Sequence, residues 1–108
     1  MAAHTTVGQG TGLSKEALDA LRTGGELPDA RQNALATFTR ALVERQGWAD
    51  DAAVRAFLDA GFTKQNVLEV VLGVGVKTLS NYTNHLAGTP LDKAFEANAW
   101  SKGEAKAA

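Results

Sequence analysis

Cysteine is absent from the 108 residues, which excludes disulfides, thiolate metal sites and thiol chemistry by this chain acting alone. An excess of either charge is missing too. Eleven Lys and Arg against twelve Asp and Glu leave a net charge of −1, so no basic field is available to attract nucleic acid. No run of eighteen apolar residues exists to span a membrane. No basic-then-apolar leader opens the sequence, so the expected address is the cytoplasm. Two histidines, His4 and His85, fall short of the three or four ligands a metal site needs, and neither a metal nor a cofactor is expected. Proline occurs only at Pro28 and Pro90, and the longest apolar stretch lies between them.

That stretch, Thr63 to Pro90, reads TKQNVLEVVLGVGVKTLSNYTNHLAGTP and is what the rest of the chain must be organised around. As one helix to about Ala87 it is roughly 37 Å long. Thr63 is a good N-cap, and Phe62 is placed to close on Val67 as a hydrophobic staple. Gly88 suits the left-handed position after the last turn, and Pro90 blocks continuation. Val67, Leu68, Val70, Val71, Leu72, Val74 and Val76 make the first half apolar nearly all the way round, a pattern that predicts burial on several sides. Gly73 and Gly75 each cost about 1 kcal/mol relative to Ala inside a helix, which is tolerable where another helix crosses closely. In the second half Lys77, Asn81, Asn84 and His85 recur at spacings of three and four and share one face. Leu79, Tyr82 and Leu86 keep the opposite face apolar.

The remaining segments are shorter. In residues 1–12, Met1 to Val7 suit the last turn of a helix, but Gly8, Gly10 and Gly12 follow, and alone this segment is expected to fray. The Gly-x-Gly-x-Gly spacing is not a phosphate loop, since no strand precedes it. Ser14 caps a helix that ends at Gly24-Gly25, with Leu13 and Leu18 as its staple. Asp29 caps a helix to about Gln46 whose apolar stripe is Ala34, Leu35, Phe38, Ala41 and Leu42. Asp50 or Asp51 caps a third, carrying Val54, Phe57 and Leu58 and closed by Gly61. Leu91 to about Trp100 is a last short helix, and 101–108 a disordered tail. No repeat or strand is legible. The expected fold is all-α: a single domain over 1–100, an antiparallel helical array around one long buried helix.

His85, flanked by Asn81 and Asn84, is a candidate for proton transfer or ligand binding, set against a simpler role as a cation favoured by the helix C-terminus. Lys77 suits neutralising an acidic ligand, or snorkelling from a buried helix to water.

The run FLDAGFTKQNVLEVVLGVGVKTLSNYTNHLAGTPLDKAF resembles the C-terminal part of the carboxymuconolactone decarboxylase family, in particular its alkylhydroperoxidase-D-like members. GLSKEALDALRTGGELPDARQNALATFTRAL is similar to the preceding helices of that family, so the resemblance covers about residues 2–96. It implies an all-helical homo-oligomer, a trimer or hexamer, and an antioxidant peroxidase activity in which a Cys-x-x-Cys-x-x-x-His motif and an upstream glutamate reduce peroxides. His4 in AAHT matches the motif's histidine, the proton relay. The second cysteine then falls at the position before Met1, so both thiols and the glutamate are absent from this sequence. Peroxidase chemistry therefore does not carry over to these residues alone. A decarboxylase-type member, or a non-catalytic oligomerisation or small-molecule-binding module, is the alternative, with Lys77, Asn81, Asn84 and His85 as its candidate binding residues.

Overall fold

The computed structural model describes residues 2–99, and every element among them is helical. Five α-helices, α1 (Ala2–Gly10), α2 (Lys15–Thr23), α3 (Ala30–Glu44), α4 (Asp51–Asp59) and α5 (Lys64–Ala87), are followed by a 3-10 helix, Lys93–Asn98. Trp100 and the tail 101–108 lie outside the described residues, and with them the expected disorder of that tail. None of the helices is long and apolar enough to cross a membrane. The described chain falls into two compact units, one formed by 2–29 with 90–99, the other by Ala30–Thr89.

In the first unit, Ser14 caps α2 by accepting a hydrogen bond from the Ala17 amide at 3.1 Å. Gly24, at φ 78°, ends that helix in the left-handed conformation. Ala17 and Leu18 are the buried face of α2. The segment expected to fray alone is not alone here: α1 runs through Gly8 to Gly10 and packs on α2 and on the 3-10 helix. Gly8 is buried, and a Cβ built on it would stand 2.7 Å from Leu18 Cδ2, so its missing side chain lets α1 lie against α2. The 3-10 helix also packs on α1, and Asn98 Nδ2 donates to Thr6 Oγ1 at 3.0 Å. The last helix is 3-10 instead of α because its six residues bond from i to i+3, as in Phe95 N–H to Asp92 C=O at 2.9 Å.

The second unit is built on a stack of aromatic rings. Phe57 of α4, 1% exposed, lies between Phe38 of α3 and Phe62 of the α4–α5 turn, each with its ring centroid 4.4 Å away. Arg31 sits over the outer face of Phe62 at 4.6 Å. Phe62, anticipated as a staple for Val67, thus spends its ring on Phe57. Asp50 caps α4 by accepting from the Ala53 amide at 2.8 Å. Helix α3 stops at Glu44, two residues short of expectation, because Gln46 (φ 53°) and Gly47 (φ 91°) both turn left-handed.

Helix α5 has the anticipated ends. Thr63 Oγ1 accepts from the Asn66 amide at 3.1 Å while Asn66 Oδ1 accepts from the Thr63 amide at 2.9 Å, a reciprocal cap. Gly88, φ 63°, closes the C-terminus. The anticipated burial is not found: no residue of α5 is buried within the chain. Val67, Val70, Val74 and Thr78, spaced by three and four, form its half-buried side. Nor does any helix cross at Gly73 or Gly75, since a Cβ on either would meet nothing within 4 Å. The apolar circumference read from the sequence is real. Within the second unit only one side of it is half-buried.

Candidate functional site

In the second unit a groove of about 510 Å³ lies between α3 and α5. Leu35, Thr39 and Val43 form the α3 wall, and Val70, Val74 and Tyr82 the apolar part of the α5 wall. Its polar groups are those at one end of the sequence's polar stripe: Lys77 and Asn81 line it, together with Thr78. Asn84 and His85 do not. They stand further along α5, fully exposed, in its last turn. There the Asn84 carbonyl accepts the Gly88 amide, and its side-chain Oδ1 accepts from Thr89 Oγ1 at 3.5 Å. The four-residue stripe is therefore split into a groove-lining half and a helix-capping half. An apolar groove with one cation and one amide at its rim is suited to an amphipathic small molecule more than to catalysis by His85.

In the first unit a smaller groove of about 370 Å³ is lined by Thr5, Gln9, Lys15, Asp19, Arg22 and Asn98 over Leu13 and Leu18. Thr5 is buried and its Oγ1 accepts from Arg22 Nη1 at 3.3 Å, which ties α1 to α2. His4, one residue earlier on the first turn of α1, is exposed and does not line this groove. Among the described residues no three His, Asp or Glu side chains stand close enough to hold a metal ion.

Leu68, Leu72, Leu79, Tyr82 and Leu86 of α5, apolar in the sequence pattern and expected to be covered, are exposed by 66 to 90%. Reading residues 67–76 as apolar all round concealed a second, narrower periodicity, because the half-buried valines fill the gaps between these side chains.

No protein-family model matches this chain, and comparison with curated proteins finds no match.

Proposed function

We propose that this chain is the helical body of an alkylhydroperoxidase-D-like member of the carboxymuconolactone decarboxylase family, a homo-oligomer acting in thiol-dependent reduction of peroxides. In that chemistry two thiols become a disulfide while ROOH is reduced to ROH and water. The observation carrying the reading is the placement of His4 on the exposed first turn of α1. On a continuous helix the residue four positions before it stands on the same face, one turn away. That is the position at which the resemblance puts the second cysteine. The order α2 to α5, and the ending of α5 in NYTNHLAGTPLD, support the same reading. The exposed apolar side of α5 supports self-association, because large apolar faces of this kind are normally covered by a partner.

The test has two parts. The intact mass of the native protein is expected to exceed that of these 108 residues. The native protein is expected to turn over an organic hydroperoxide with a dithiol, at a rate falling at least tenfold in His4→Ala, about 1.4 kcal/mol of transition-state stabilisation. The 108 residues alone are expected to show no such turnover, lacking a thiolate. A native mass equal to that of this sequence, with no turnover, overturns the reading.

The second reading, a non-catalytic oligomerisation or small-molecule-binding module, is favoured by the α3–α5 groove with Lys77 and Asn81 at its rim. A decarboxylase-type role has no comparable observation behind it. Turnover that is absent from the native protein, together with binding of an amphipathic acid that weakens in Lys77→Ala, would select the binding module.

A further inference from the structure

Beside the half-buried stripe that packs towards α3, helix α5 carries a heptad seam. Leu72, Leu79 and Leu86 are seven residues apart, and so are Leu68, Gly75 and Tyr82, the two series offset by three and four. These are the a and d positions of a pairing helix. All six are exposed, and Val71 and Val76 beside them are exposed as well. Val67, Val70 and Val74 form the half-buried stripe. The seam is therefore a second apolar surface, which adjoins the α3–α5 groove at Tyr82.

We propose that a second copy of this chain covers the seam, with the two α5 helices antiparallel about a two-fold axis level with Lys77. The inference rests on the self-association put forward above and assigns it a surface and an orientation. The occupant follows from the residues that the register brings together. Antiparallel pairing about residue 77 sets Leu68 against the partner's Leu86, Leu72 against the partner's Tyr82, and Gly75 against the partner's Leu79. The seam thus carries its own complement: the central layers match a missing side chain with a large one, which accounts for a glycine in an exposed helix with open space where its Cβ would be. A parallel pair would instead set Gly75 against the partner's Gly75 and leave a void.

Scale and charge agree. The seam from 68 to 86 is about 27 Å long. Along that length five large apolar side chains, each at least 66% exposed, stand open to be covered, with Val71 and Val76 beside them. Glu69 and His85 are the only titratable groups at the flanking positions, so no row of like charges opposes the pairing.

Sedimentation equilibrium of the 108-residue chain tests the surface, and cysteine cross-linking tests the orientation, which the absence of native cysteine makes clean. Leu79→Glu changes a side chain that is mostly solvated within the chain, so circular dichroism is expected to be unchanged while the dissociation constant rises at least a hundredfold. Val76→Cys, next to its own symmetry mate at the axis, is expected to form an interchain disulfide on air oxidation. Leu68→Cys is expected to cross-link with Leu86→Cys in a mixture and not with itself. Self-linking of Leu68→Cys, or association undiminished in Leu79→Glu, overturns the antiparallel seam while leaving self-association standing on another surface. A parent chain that stays monomeric at high micromolar concentration overturns both, and leaves the peroxidase chemistry to be decided by the His4 experiment.

Discussion

Replacing Phe57 by Ala removes the middle ring of the stack that joins α3, α4 and the turn into α5. The cost can be built from its surroundings. The side chain is 1% exposed, so its full transfer free energy, about 1.5–3 kcal/mol, is lost. Each of its two ring contacts, at 4.4 Å to Phe38 and to Phe62, contributes about 0.5–1.5 kcal/mol beyond area. Residues on both faces cannot collapse into the gap without breaking the reciprocal cap of α5, so a cavity remains. The expected loss is about 3–5 kcal/mol, the usual range for a buried Phe→Ala change. A domain with about 5–15 kcal/mol of stability loses a large part of it. Phe57→Leu restores most of the volume and none of the stacking, and should lose about half as much. Urea denaturation followed by far-ultraviolet circular dichroism measures both, at one fixed protein concentration so that the proposed self-association would not shift the midpoint between variants. A loss below 1 kcal/mol in Phe57→Ala would refute the claim that this ring organises the second unit.

Three smaller effects are expected in the same assay. Thr63→Ala removes the side-chain acceptor for the Asn66 amide and should cost about 0.5–2 kcal/mol, with helical signal lost first from the start of α5. Gln46→Gly relieves a left-handed backbone at a residue with a Cβ, and should raise stability by several tenths to about 1 kcal/mol in the midpoint of unfolding. Arg45→Ala breaks the pair with Asp50 at 3.4 Å, but both side chains are more than half exposed, so the change should stay below about 0.5 kcal/mol and vanish in high salt.

Helix ends were the most legible feature of the sequence, because each depends on one or two adjacent residues. Ser14, Asp50, Thr63 and Gly88 act at the positions their chemistry marks out. The left-handed Gln46 was not legible, since nothing in its side chain asks for that backbone. The partners of α1 were not legible for a different reason. Its glycines argue locally for fraying, while Leu18 and Asn98 contact it from a distance along the chain. Periodicity identified the apolar sides of α5 but not what lies against them: a buried helix and a helix with one half-buried and one exposed apolar side share one hydropathy pattern. The polar stripe was read as one site because four residues share a face. Length along the helix separates Lys77 and Asn81, at the groove, from Asn84 and His85, at the cap.

The hydrogen bond from Asn98 to Thr6 spans 92 positions in the chain. Closing a loop of that length costs about 4 kcal/mol of chain entropy, before the constant term, if the intervening residues are unfolded. The cost falls sharply once Ala30–Thr89 has condensed into its own unit. During synthesis the helix bearing His4 precedes Ala30–Thr89, and its packing partner at 93–98 follows it. The first unit is thus a clasp whose two halves are separated by a whole folded unit. Removing residues from Lys93 onward should leave the aromatic stack intact and loosen α1, so the position of His4 is governed from a segment far along the polypeptide.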